Sequence, residues 1–252
     1  MTDRGGVALT RSCGGARGDV AVAIPPVNVL GAGDLVRLAE CVRDAAPPAR
    51  VIVLRGLARA FSAGVDVADH APEPAAIERM LGAMRAVLSA LVEAPAVTVA
   101  AVSGACLGGG AEIAAACDVV LVAEDARVAF PEIGLACFPP GASALLPLRI
   151  GEARAAEWIL TGRRVSGREA AEAGFASRAT PAARLEAETE TLVERLLGLA
   201  PAALSAARDL LRAPRREALA LRLPAAEEAY RRLAGNADLA RAVAEFAKGR
   251  SR

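Results

Sequence analysis

Two glycine-containing loops, each set behind an apolar run, do most to constrain what this chain can fold into. RAFSAGVDVADH follows PPARVIVLRG, and AVTVAAVSG runs directly into ACLGGGAEIAAACDVV. A continuous apolar run between turn residues is the pattern of a strand covered on both faces, as in parallel sheets. A helical pattern precedes each run. GAGDLVRLAECVRDA puts Leu35, Leu38, Ala39 and Val42 at helical spacing, and a second helix is predicted over about Ala75 to Ala94, with Pro95 as its stop. Upstream, Val7 to Thr10 and Asp19 to Ile24 read as a hairpin pair, and DVVLVAEDARVAF reads as strand broken by a turn at Glu124 and Asp125. The expected class is α/β.

From Gly151 the pattern changes. GEARAAEWILTG and SGREAAEAG read as helices closing on glycine, and long Ala/Leu/Arg/Glu stretches then predict a helical end. The expected division is an α/β core over residues 1–195 and a helical region over 196–252. At 54% hydrophobic but only 3% aromatic residues, the core has to be Ala, Val and Leu packed at close backbone distances. Leu204, Leu210, Leu211, Leu219, Leu221 and Leu223 leave the helical region with apolar surface that predicts association, expected as a homotrimer or a dimer of trimers.

Thirty basic against 29 acidic side chains leave a net charge of +1, no electrostatic footprint for a nucleic acid. Five cysteines without a C-x-x-C pair suggest neither a disulfide framework nor a zinc site. With no apolar leader at the start and no long uncharged apolar stretch, the expectation is a cytoplasmic protein without a membrane span.

The chemistry is expected at the two loops, since strand ends are where such folds place sites. Ala63-Gly64 is small enough for a ligand to approach the backbone, and Gly108, Gly109 and Gly110 precede a helix over Ala111 to Ala116 whose first N–H groups are free. If the loops face each other, the N–H groups of Ala63 and Gly109 can converge on one carbonyl oxygen as an oxyanion hole. Neither G-x-x-x-x-G-K-[ST] nor G-x-G-x-x-G is present, so a phosphate loop is not indicated.

FSAGVD, then GACLGGGAEIAAACD, then FPEIGL, in that order and spacing, resembles the crotonase (enoyl-CoA hydratase/isomerase) family. The likeness begins at PPVNVL near Asn28, includes RIGEARAAEWILTGRRVSGREAAEAGF and reaches ADLARAVAEFAKGR. It implies a crotonase-like spiral of ββα units with a helical carboxyl-terminal oligomerisation region. It assigns the oxyanion N–H groups to Ala63 and Gly109 and the catalytic carboxylates to Glu112 and Glu132. Ser62, Gly64, Val65, Asp66, Gly108, Phe138 and Ser143 are the expected substrate-binding positions, with Asp66 also ordering its own loop.

The implied activity is that of an acyl-CoA lyase, a hydratase acting on an enoyl-CoA thioester without a cofactor or a metal, the coenzyme A being part of the substrate. Glu112 would act as base toward water and Glu132 would deliver the α-proton. An isomerase using Glu132, or a non-catalytic acyl-CoA- or RNA-binding oligomer on the same fold, are the alternatives. After FPEIGL the family commonly continues PGxGGTQRL, whereas here Cys137 to Pro147 reads CFPPGASALLP. That stretch is similar to the cyclohexadiene-carbonyl-CoA hydratases of anaerobic aromatic degradation, and it is expected as a stiff loop bordering the acyl end. The single histidine, His70, reads as a surface or helix-start residue, and Cys106 and Cys117 as small core residues. Near the end, Phe246, Lys248 and Arg250 stand where the family has a Phe and a Lys that reach CoA, but at a different offset.

Overall fold

Strands β4 (Val51–Arg55) and β7 (Val97–Val102) lie parallel at the centre of a six-stranded sheet. The computed structural model of the protein describes residues 5–67, 73–233 and 236–249. Both strands are apolar throughout because both faces are covered. Ile52, Leu54, Ala100 and Val102 join the main core, while Val51, Val53, Val97 and Val99 pack with Val193 of helix α7 (Leu185–Leu197). Adjacent residues on a strand point to opposite faces, so a strand between two layers needs an unbroken apolar run.

The sheet continues outward in the order β1 (Gly6–Ser12), β2 (Arg17–Ala23), β4, β7, β9 (Val119–Ala123) and β12 (Arg178–Thr180). Only the β1–β2 hairpin is antiparallel. Helices α1 (Ala32–Ala45) and α2 (Pro74–Glu93) occupy the positions expected from their periodicity, and α1 buries Leu35, Leu38, Ala39 and Val42.

Short strands, of which only the one after the Glu124-Asp125 turn is expected from the sequence, build a second layer. A four-stranded sheet runs β11 (Val165–Ser166), β10 (Arg127–Ala129), β8 (Ala105–Leu107), β5 (Ala60–Ser62), and a parallel pair joins β3 (Val29–Leu30) to β6 (Gly64–Val65). Elements of two or three residues carry too few positions to show a period. They place both glycine loops next to each other, since β5 pairs with β8.

Helix α3 (Gly109–Ala116) follows β8, and α4 (Pro140–Ile150), α5 (Glu152–Thr161) and α6 (Gly167–Glu172) follow β10 in the chain. The stretch expected as a stiff loop at Cys137 to Pro147 is largely helical. Pro140 sits in the first turn of α4, where a missing N–H costs nothing, and the Ser143 N–H donates to Pro139 O at 2.9 Å.

The last helices are α8 (Pro201–Leu233) and α9 (Ala237–Gly249). Arg212, fully buried on α8, donates through Nε to Asp118 Oδ1 at 2.7 Å and through a terminal nitrogen to Ala96 O at 2.7 Å. Arg215 adds a bond to the same carboxylate at 2.5 Å. A buried guanidinium needs its charge and donors met, and this cluster fixes α8 against β7 and the end of α3. Of the leucines expected to seek a partner, Leu210, Leu211 and Leu221 are exposed (77%, 76% and 68%), whereas Leu223 turns inward. Among the described residues, no helix is long and apolar enough to cross a membrane.

Candidate active site

Asn28 organises the first loop. Fully buried and at φ +54°, its side chain accepts from the Ile24 N–H at 2.7 Å and donates to Val22 O, Ala60 O and Phe61 O at 2.9–3.0 Å. Ser62 Oγ donates to Asn28 O at 2.8 Å and accepts from the Gly64 N–H at 3.1 Å. One amide thus ties β2, β3 and β5 together and sets where β6 begins. The family likeness begins beside Asn28, but its sequence alone carries no sign of this role.

The oxyanion assignment to Ala63 is corrected by this geometry. The Ala63 N–H donates to Val27 O at 2.9 Å and is committed to the scaffold. In a parallel pair alternate residues turn toward the partner strand, and here the Asp66 N–H donates to Leu30 O at 2.9 Å. Val65 N–H therefore points away from β3, the neighbour of β6 among the described residues. Val65 N lies close to the start of α3: a methyl built on Gly109 would lie 3.7 Å from it, and one built on Gly64 would lie 4.0 Å from Gly109 N.

Gly108 and Gly109 are glycine for separate reasons. Gly108 has φ +51°, turns the chain from β8 into α3, and has no room for a Cβ, which would stand 2.6 Å from Glu132 Oε1. A Cβ on Gly109 would meet Val65 Cγ2 at 2.6 Å and Met84 Cε at 2.7 Å. The first intrahelical bond, Glu112 N–H to Gly108 O at 3.0 Å, leaves the Gly109 N–H without an intrahelical acceptor. The backbones of Val65 and Gly109 thus adjoin on the lining of one cavity.

Glu112 and Glu132 approach that space from different elements. Glu112 is 4% exposed on α3, and its Oε1 accepts from the Ala142 N–H at 2.8 Å. Burial pushes its proton affinity up, while the α4 backbone N–H groups of Ala142 and Gly141 oppose the shift. Glu132 lies in the 3₁₀ turn Pro131–Leu135, and its buried Oε2 has no hydrogen-bond partner among the described residues. Burial first, then the charge of Glu112, raises its proton affinity. The two groups titrate as a coupled pair, both shifted toward the protonated form, with the α4 N–H groups opposing the shift at Glu112.

A cavity of about 380 Å³ takes in Ala63, Gly64, Val65, Gly108, Gly109, Glu112, Glu132 and Phe138 of the expected residues. Ser62, Asp66 and Ser143 are not among its lining residues. Ser62 supports the loop from behind, and Ser143 Oγ donates to Pro139 O at 2.8 Å. Phe246 reaches the cavity, Lys248 is exposed, and Arg250 and His70 lie outside the described residues. Cys106 and Cys117 are buried core residues. Sequence reasoning missed Met84 and Arg85 on α2 and Glu227 and Tyr230 on α8, which also line it. No local signal on those helices marks the face that meets a ligand rather than the core.

A family model described as enoyl-CoA hydratase/isomerase matches residues 27–251. Cyclohexa-1,5-dienecarbonyl-CoA hydratase of Thauera aromatica is 34% identical over 150 residues, 59% of this chain and 57% of that protein, so the chain's match spans less than two thirds of that relative. The peroxisomal Delta(3,5)-Delta(2,4)-dienoyl-CoA isomerase of Arabidopsis thaliana is 30% identical over 183 residues, 67% of this chain and 66% of that protein. The crystal structure of an enoyl-CoA hydratase from Mycobacterium avium subsp. paratuberculosis K-10 superposes with a TM-score of 0.86 at 26% identity, covering 96% of each chain.

Proposed function

The chain belongs to the enoyl-CoA hydratase/isomerase family, and from that premise we propose that it is a hydratase that adds water to an enoyl-CoA thioester or removes it. The observation that carries this reading is the pair of buried carboxylates on one cavity, one of which, Glu112, accepts the Ala142 N–H while Glu132 Oε2 has no hydrogen-bond partner among the described residues. The thioester carbonyl oxygen sits between the N–H groups of Val65 and Gly109. Negative charge that develops on that oxygen is stabilised by donors that need no reorganisation.

Water lies between the two glutamates. Glu112, in its ionised form and accepting the Ala142 N–H, takes a proton from water as its oxygen bonds to the β-carbon. The enolate formed across the thioester collapses by taking a proton from Glu132 at the α-carbon. Proton exchange with solvent then returns Glu112 to the anion and Glu132 to the acid.

An isomerase needs one acid/base carboxylate, and Glu132 could serve alone. Two buried carboxylates on one cavity support hydration instead. A non-catalytic acyl-CoA- or RNA-binding role is disfavoured by the intact carboxylates and the +1 net charge. The stiff Phe138-Pro139-Pro140 wall of the cavity supports a compact or cyclic acyl group, which loses little conformational freedom on binding.

The test is turnover of a panel of linear, branched and cyclic enoyl-CoAs, followed by loss of the conjugated-thioester absorbance and by product mass. Gain of one water identifies a hydratase; a shifted double bond at unchanged mass identifies the isomerase. Compact or cyclic thioesters are expected to exceed the long linear one in kcat/KM by at least about tenfold. Equal turnover of the long chain would reject the acyl-group reading alone.

A further inference from the structure

Glu227 is 2% exposed, yet it is a carboxylate on the wall of an otherwise Met- and Leu-rich end of the cavity. Its partner is Arg85, whose Nε meets Glu227 Oε1 at 2.8 Å and whose terminal nitrogen meets Oε2 at 2.5 Å. The pair joins α2 to α8 across 142 positions of sequence, and both residues line the cavity. The Arg85 side chain is 46% exposed, so the pair stands between the cavity and solvent. Arg231 lies 3.8 Å from the same carboxylate and also pairs with Glu78 of α2.

The same face of α2 locates this wall relative to the chemistry. Met84 touches the position of Gly109, and Leu88 stands against Gly141 next to the Glu112 carboxylate. Arg85 adjoins Met84 in the chain. Val65, Gly109, both glutamates, Arg85 and Glu227 line one cavity, so a thioester with its carbonyl at Val65 and Gly109 and its β-carbon at the glutamates has the α2–α8 seam within the same enclosure.

We propose that the Arg85–Glu227 pair is the specificity-determining latch that closes the distal end of the acyl pocket and sets the longest acyl group the site accepts. This rests on the acyl-CoA reading above. An acyl tail longer than the pocket has to pass between α2 and α8. Doing so separates a bidentate pair and leaves Glu227 as a buried anion, a penalty that a short acyl group never meets. Removing the charges turns the wall into an opening through which a long tail reaches solvent.

The experiment compares wild type with Arg85→Met, Glu227→Gln and the double variant. Turnover is measured on crotonyl-CoA and the hexadecenoyl thioester, and calorimetric affinity on butyryl-CoA and palmitoyl-CoA, which need no catalysis. The double variant is expected to raise the long-to-short ratio of kcat/KM at least about tenfold and to shift the palmitoyl-to-butyryl affinity ratio in the same sense. Should the double variant not fold, Glu227→Gln, which leaves no buried anion and only the half-exposed Arg85 guanidinium, is expected to move both ratios in that direction. An unchanged affinity ratio in variants that fold overturns the latch. Loss of turnover on every enoyl thioester in wild type, with acyl-CoA affinity retained, overturns the hydratase reading and leaves the latch standing on the affinity ratio.

Discussion

Glu112 Oε1 accepts the Ala142 N–H at 2.8 Å, a bond that joins the first turn of α3 to the first turn of α4 across 30 residues. A carboxamide at residue 112 can keep this acceptor but cannot take a proton. Glu112→Gln and Glu132→Gln are each expected to lower kcat about 10² to 10⁴-fold while acyl-CoA affinity stays within a few-fold of wild type. Steady-state kinetics with a parallel binding titration checks this. Near-wild-type turnover in either variant would remove the two-glutamate mechanism.

Stability should fall as pH rises through the window between an ordinary carboxylate pKa and the raised values of Glu112 and Glu132. In that window the folded chain holds protons that the unfolded chain has released. Glu112→Gln/Glu132→Gln is therefore expected to gain steadily on wild type between about pH 4.5 and pH 7. Urea unfolding midpoints across this range measure it. A constant difference between the two proteins would show that the pair is not proton-linked to folding.

Gly109→Ala is expected to be damaging because its methyl would enter the space held by Val65 Cγ2 and Met84 Cε, both under 3 Å away. Overpacking of this kind costs about 1–3 kcal/mol, and the displaced Val65 loses its aim at the thioester oxygen. The expected result is a loss of about 10²-fold or more in kcat, with a smaller downshift of the bound thioester carbonyl stretch in the infrared. An unaltered carbonyl band would mean that these two N–H groups do not hold the oxygen.

Asp118→Asn leaves Arg212 without its counter-charge at a fully buried position. The expected loss is about 3–5 kcal/mol of stability in chemical denaturation. A loss under about 1 kcal/mol would mean that the backbone carbonyls alone hold the guanidinium.

Leu210, Leu211 and Leu221 form exposed apolar positions on α8 that predict a homotrimer or a dimer of trimers. Light scattering at micromolar concentration should report the assembly, and Leu210→Glu/Leu211→Glu should weaken it. A stable wild-type monomer would contradict the prediction.

Local chemistry in the sequence was enough for the α/β class, the covered strands at Val51 and Val97 and the helices before them, because helix periodicity and unbroken apolar runs register burial directly. Glu112 and Glu132 came from the family resemblance and not from local pattern. Glycine at 108 and 109 likewise signals close approach from sequence alone. Which N–H stays free was decided elsewhere: Ala63 and Val65 are two residues apart, and it is the bond from the Ala63 N–H to Val27 O that commits the first, while the Asp66–Leu30 bond turns the Val65 N–H away from β3. The Pro139-Pro140 pair read as a stiff loop, yet proline suits a first helical turn equally well, and only the packing of α4 against Glu112 selects the helix. Arg85 and Glu227 look like ordinary surface charges in the chain. They meet because α8, held by Asp118 and Arg212, is brought back over α2, and contacts between distant segments leave no trace in local periodicity.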